Sequence, residues 1–313
     1  VDHVAMGSTS MLLQAGLASA LLLFSAYGPY VKVNAVLQVV WFAVSACVPA
    51  VVTGRMSYVD LAWPWGLVLI GTLSFTLGPG YLPRRAAVSL CYVLAGARMG
   101  LGCIFLIVKG ALKKDFPRYE YQYMRWERHG IKNKKLEMQK EILVQAFANI
   151  SFLAAPAMLM SFNTNDQISI VEIFAGLLWV ASWVFESVAD IQKQQFIAEC
   201  KKKQLRNQIC NVGLWKYSRH PNYFGEWMVW NSLVIASIPS LLVAFETVVW
   251  TQPTTWIPLH LALCLLGTSY SMYFCLVYYT GARPAEHFSK QKRPDYAKYQ
   301  QTTNCFFPGP SRA

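Results

Sequence analysis

Residues Trp227–Trp250 read WMVWNSLVIASIPSLLVAFETVVW, and they decide the class of fold. The run is apolar, carries Glu246 as its charged residue, and has a tryptophan at each end. A helix needs about 20 mostly apolar residues to cross a bilayer. Tryptophan favours the two membrane–water interfaces. Lipid offers backbone N–H and C=O groups no partners, so such a run must be helical. Working outward, the same pattern recurs at Trp256–Tyr279 and, upstream, at Ile168–Ala189, Ile142–Phe162, Ala86–Val108, Trp63–Leu82, Asn34–Val52 and Met11–Gly28. The sequence therefore predicts an all-α polytopic membrane protein, one transmembrane domain over residues 1–313. It has eight transmembrane helices, or seven if Trp63–Leu82, with Gly78-Pro79-Gly80 near its end, is re-entrant.

Composition agrees. The chain is 55% hydrophobic and 14% charged, whereas an ordinary soluble domain is about a quarter charged. The net charge of +12 suits an anionic membrane surface or an anionic cofactor. Nucleic acid is excluded as a partner, because no basic stripe stands apart from the membrane segments. Lys and Arg concentrate in residues 109–140, 190–224 and 281–313. Alternating helices put all three on one side, the cytoplasmic-type side by the positive-inside rule. The links Asn163–Gln167 and Thr251–Thr255 carry neither and fall opposite. Arg84-Arg85 breaks this pattern. Residues 109–140 also hold Phe116, Tyr119, Tyr121, Tyr123 and Trp126, as expected of a basic interfacial segment lying on anionic headgroups.

The eight cysteines form no C-x-x-C pair, and the five histidines have no zinc-type spacing. Buried thiols and no metal are expected. The chain starts Val1-Asp2-His3, without Met, which raises the expectation of a removed N-terminal peptide. The endoplasmic reticulum or an organellar inner membrane, such as the mitochondrial one, would suit both that start and the basic faces.

Three constellations look chemical. In Trp183-x2-Glu186-x3-Asp190-x-Gln192-Lys193-x2-Phe196, the residues Glu186, Asp190 and Lys193 share one helix face. An ionisable group inside an apolar span is costly unless it meets a partner or a cavity. Two readings follow: a polar pocket at the mouth of the helix, or an ion pair that fixes packing. In the second, Gly213–Glu226 (GLWKYSRHPNYFGE), Pro221 biases His220 away from helical geometry. The loop then enters a helix N-terminus, which attracts anions. Arg219 and His220 can donate to phosphate, Asn222 can bond an amide, and Tyr217 and Tyr223 offer flat faces. A polar loop at headgroup level is the alternative. The third is the tail, with Arg283-Pro284-Ala285-Glu286, Arg293-Pro294-Asp295-Tyr296-x2-Tyr299 and Phe306-Phe307-Pro308. It reads as a surface tail or as a lid over the polar pocket.

Together these pieces resemble the steroid 5-alpha-reductase superfamily, and within it a poorly characterised branch of membrane reductase-like proteins. The matching patterns are W-x2-E-x3-A-D-x-Q-K-x2-F at Trp183–Phe196, G-L-W-x-Y-S-R-H-P-N-Y-F-G-E at Gly213–Glu226, and R-P-x-Y-x2-Y-x3-T-x2-F-x-P at Arg293–Pro308. Ser57-Tyr58-Val59-Asp60-x2-Trp63 and Arg118-Tyr119 extend the likeness, which covers about residues 55–308 and is densest over 183–308. The resemblance implies a seven-helix-type fold with an NADPH pocket on the cytosolic-type side. It also implies hydride transfer to a carbon–carbon double bond conjugated to a carbonyl, in a sterol, steroid or polyprenoid lipid. Carried over, Asp190, Lys193, Arg219, His220, Asn222, Tyr223 and Glu226 would bind the cofactor. Hydride attack builds negative charge on the enone oxygen, and Tyr58 or Asp60 is the expected polar group there.

Two departures stand out. The family pattern L-W-G-L-R-L is Leu94-Ala95-Gly96-Ala97-Arg98-Met99 here, and its R-x2-G is replaced by Lys109-Gly110. They favour a second hypothesis, a non-catalytic subunit or lipid-binding element with protein partners in a larger membrane complex. A third is an S-adenosylmethionine-dependent lipid or isoprenyl-cysteine methyltransferase, which shares R-H-P-x-Y-x-G. Asn222 after the proline, and His287 after Glu286 in place of a paired Glu-Glu, weigh against it.

Overall fold

The computed structural model describes residues 20–247 and 255–312. Among them there is no strand, and seven helices are long and apolar enough to cross a membrane. They are α1 (Gly28–Thr53), α2 (Val59–Leu77), α3 (Leu82–Val108), α5 (Lys134–Phe162), α6 (Ile170–Lys202), α7 (Pro221–Glu246) and the helix that begins as α8 (Trp256–Phe274). That last helix passes a π turn, Cys275–Tyr279, into α9 (Ala282–Lys292). Two shorter helices complete the set, α4 (Pro117–Arg128) and α10 (Tyr296–Thr302). The protein is polytopic and all-helical.

The expected span Met11–Gly28 lies largely outside the described residues, and its described end is a 3-10 turn, Ala20–Phe24. Most of the Thr251–Thr255 link also lies outside them. The segment expected at Trp63–Leu82 starts earlier and ends at Leu77, where Gly78 turns extended. A Cβ on Gly78 or Gly80 would stand 2.6 Å from the Ser161 carbonyl oxygen, so only glycine lets this break pack against the end of α5. α1 ends at Gly54 in the left-handed conformation, φ 71°. Proline enters the first turn of α1, α3 and α4, where a missing N–H costs nothing.

The residues group into two compact units, 1–175 with 233–268, and 176–232 with 269–313. In the first, Phe42, Met56, Val59, Tyr119, Trp126 and Ile142 form a buried cluster. The aromatic face of α4 therefore packs into a core, with Tyr119 and Trp126 at 2% and 3% exposure. Tyr58 is half-buried against that cluster. Asp60 accepts from the Tyr119 hydroxyl at 2.6 Å and pairs with Arg118 at 3.4 Å.

A polar seam crosses the same unit. Gln38 donates to the Gly66 carbonyl at 2.8 Å, Asn149 Nδ2 donates to Gln38 Oε1 at 3.2 Å, and Asn34 donates to the Asn149 carbonyl at 3.1 Å. All three side chains are fully buried. Arg84, the exception to the charge pattern, is buried as well. Its guanidinium bonds Glu172 and the carbonyls of Asn163, Asn165 and Gln167. A neutralised, buried arginine does not act as a headgroup-facing charge, which explains how Arg84 sits where the positive-inside rule disfavours it.

Candidate functional site

The second unit gathers the motif residues. α6 and α7 approach closely at Gly225, where a Cβ would meet Glu186 backbone atoms at 2.9 Å. Glu186 is buried at this crossing, at 5% exposure. One turn further along α6, Asp190 Oδ1 accepts from Asn222 Nδ2 at 3.1 Å. The other end of that amide, Asn222 Oδ1, is buried and has no hydrogen-bond partner among the described residues. Leaving a buried acceptor unsatisfied costs about 1–3 kcal/mol.

The loop before α7 is tied down residue by residue. Gly213 has φ +52°, and a Cβ there would strike the Gln192 side chain at about 2.4 Å. Gln192 Oε1 accepts from the Leu214 N–H at 2.8 Å, and the Trp215 indole donates to the Ala189 carbonyl at 2.9 Å. The Tyr299 hydroxyl donates to the Trp215 carbonyl at 2.5 Å, and Ser218 Oγ to the Phe306 carbonyl at 2.9 Å. Phe224 and Trp227 meet Phe306 and Phe307 edge-on, with centroids 5.8–6.0 Å apart. The tail is thus a built part of the site.

Glu286 is the hub. Arg219 donates to it from Nε at 2.7 Å and from Nη2 at 3.3 Å, and donates from Nη1 to the carbonyls of Gln300 and Thr303. His220 Nε2 lies 3.1 Å from Glu286 Oε1, and Gln300 donates to Oε2. The His220 ring stacks on Tyr223, 5.4 Å between centroids and 4° from parallel. Burial holds the His220 imidazole below its ordinary pKa, against the opposing pull of Glu286. His220, Glu286 and Cys305 place one donor atom each within 4.8 Å of one another. Their chemistry does not suit a cation. Arg219, His220 and Gln300 already occupy the carboxylate, and burial pushes the Cys305 thiol up to about 11, so it is neutral at pH 7.

The sequence profile of one family matches residues 41–303, most of the chain. The chain belongs to DUF1295, a family described as protein of unknown function. No curated protein and no solved structure matches it.

In this DUF1295 member the predicted site residues separate into groups. Asp190 and Asn222 are brought together. Arg219 and His220 are brought together around Glu286, Tyr223 stacks on the His220 ring, and Glu226 follows on the first turns of α7. Lys193 Nζ lies over the Trp215 ring, 4.3 Å from its centroid. Tyr58 and Asp60 belong to the first unit. Reading the sequence placed Glu286 in a tail that could lie on the surface or cover the pocket, but not among the named site residues. Its signal was present, an acid following Arg-Pro-Ala in a basic tail, but nothing local identifies Arg219, 67 residues away, as its partner.

Proposed function

We propose that this protein is an NADPH-dependent membrane reductase acting on a carbon–carbon double bond conjugated to a carbonyl, in a sterol, steroid or polyprenoid lipid. The observation that carries the reading is Asn222. Its amide is fixed by Asp190 and presents a buried oxygen that no described residue satisfies. An acceptor so placed suits an N–H of a bound dinucleotide, so the residues present fit the cofactor. NADPH, when bound, supplies the hydride.

The chain's own groups then have distinct tasks. Asp190 orients the Asn222 amide, and Asn222 Oδ1 accepts from the ligand. Lys193 stands one turn beyond Asp190 on α6 as a cation for phosphate. The stacked Tyr223 and His220 rings form a flat wall, and Glu226 adds a further acceptor on α7. Within the first unit, Asp60 is occupied as an acceptor by Tyr119 and as a counter-ion by Arg118.

A second reading has its own support. Arg219 and His220 turn onto Glu286 rather than outward, as suits a relative that keeps the fold without the chemistry and works as a subunit or lipid-binding element. Thermal unfolding of the full chain in detergent separates these readings. A ligand that binds only the folded state raises the midpoint. NADPH should raise it and S-adenosylmethionine should not. A shift with S-adenosylmethionine alone would move the protein to the methyltransferases, and no shift with either would leave the non-catalytic reading.

A further inference from the structure

Two tryptophans on α6 have no part in the reaction proposed above. Trp179 is buried, at 4% exposure, and Trp183, which opens the first motif, is half-buried. Their rings stack, 6.0 Å between centroids and 12° from parallel. Both indole N–H groups are buried, and neither has a hydrogen-bond partner among the described residues. A buried donor without an acceptor is costly, and native folds keep few of them. The near-parallel stack also denies each N–H the face of the other ring.

The two indoles lie deep. The largely apolar residues 170–189 of α6 extend about 29 Å at 1.5 Å per residue, close to the hydrocarbon thickness of a bilayer. Trp179 and Trp183 stand about 14 and 20 Å along that length. Tryptophan favours the membrane–water interface, where its polar N–H meets water or headgroups. At mid-bilayer neither is within reach. The ester carbonyls of ordinary phospholipids lie outside the hydrocarbon core as well.

There is room beside the pair. Gly176 precedes Trp179 by three residues and Trp183 by seven, so the three share one side of the helix. Gly176 is exposed, and a Cβ built on it meets nothing within 4 Å. Helical side chains lean toward the N-terminus, so Trp179 leans over the turn that holds Gly176. Leu177, Val180 and Val184 are exposed alongside, as suits a face turned to lipid. A molecule dissolved in the bilayer therefore reaches the indoles sideways, without crossing water.

We infer that Trp179 and Trp183 form an intramembrane binding site for the carbonyl oxygen of a membrane-dissolved lipid, entered beside Gly176. An indole N–H only donates, and a carbonyl oxygen only accepts. A hydroxyl would satisfy the indole but bring a new donor that needs its own acceptor. The indole rings add flat apolar surface for a ring system. A fused-ring ketone and an isoprenoid quinone both carry such an oxygen into the hydrocarbon core. The inference does not rest on the reductase reading, since a lipid-binding subunit would use the site equally.

The test uses the full chain in phosphatidylcholine nanodiscs, with Trp179→Phe and Trp183→Phe, which keep an aromatic ring and remove the N–H. One arm titrates cholestenone, with cholestane as the analogue lacking oxygen; the other titrates decylubiquinone. The expected result is saturable binding in at least one arm, weakened about fivefold or more by one or both Phe variants. The infrared carbonyl stretch of the bound ligand should lie lower in wild type than in the weakened variant. Binding confined to cholestenone assigns a fused-ring ketone, binding confined to decylubiquinone assigns a quinone, and binding in both assigns the carbonyl alone. No saturable binding by folded wild type, cholestane bound as tightly as cholestenone, or affinity unchanged in both Phe variants overturns the site. If a Phe variant fails to fold, Gly176→Leu carries the test. It fills the open side at an exposed position, and unchanged affinity there overturns the site too. Asn222→Ala should leave both arms unchanged, so loss of NADPH binding and loss of this site register independently.

Discussion

At the residue scale, the Glu286 hub joins an arginine at 9% side-chain exposure to a carboxylate at 13%. Removing one partner of a buried pair leaves an uncompensated charge and costs about 3–5 kcal/mol. Glu286→Ala should therefore destabilise the protein by about 3 kcal/mol, the low end of that range because the pair keeps some water access. A lowered unfolding midpoint checks this, and an unchanged midpoint would mean that Arg219 finds other acceptors. His220 makes the site sensitive to acid. In the unfolded chain it protonates at about 6.5, its ordinary value, while burial holds the native imidazole lower. Below that ordinary value the unfolded state binds the extra proton. The contribution is therefore complete above about pH 6.5 and is lost as pH falls through the native value. Glu286 opposes this and Arg219 and Lys193 reinforce it. Unfolding midpoints should fall on acidification from pH 7, and His220→Gln should flatten the dependence. A midpoint that rises on acidification would contradict it.

At the element scale, close helix approaches depend on glycines whose hydrogen atoms face a neighbour. Gly66 on α2 is the sharpest case. A Cβ there would stand 2.2 Å from Asn149 Nδ2 and 2.6 Å from Gln38 Oε1, in the buried polar seam of α1, α2 and α5. Overpacking a tight interior costs about 1–3 kcal/mol. Gly66→Ala should cost at least that, since it also parts hydrogen bonds that have no water to replace them. Unfolding midpoints in detergent measure this; a midpoint equal to wild type would mean that the seam is loose. The helices themselves were legible in the sequence because apolarity is local and lipid leaves the backbone no other solution. Their ends were less so. Asn34–Val52 runs on to begin at Gly28, and Trp63–Leu82 shifts to Val59–Leu77, because glycine and proline positions set the stops and hydropathy does not.

At the scale of the whole molecule, charge was the least legible property. Arg84 counts as a topology charge in sequence, yet in the fold it is cancelled by Glu172, 88 residues away. Arg219 looks like a phosphate ligand in its motif, and the fold turns it onto Glu286. Much of the long motif proves structural: Gly213, Trp215, Ser218, Arg219 and Gly225 hold α6, α7 and the tail in register. The Asp190–Asn222 pair carries one of several buried atoms without a partner among the described residues, Asn149 Oδ1 and the Trp183 indole N–H being others. Sequence spacing could place each residue on its helix, but not show that the Asn222 amide oxygen would be buried without a partner among the described residues.

The measurement that tests this most directly is the affinity of the detergent-purified full chain for NADPH, with wild type and Asn222→Ala titrated side by side. Binding that Asn222→Ala weakens about tenfold or more, with an unfolding midpoint near wild type in the absence of ligand, is the predicted result. Equal affinity in the two proteins, or no binding by a folded wild type at millimolar NADPH, would contradict a cofactor site at Asn222.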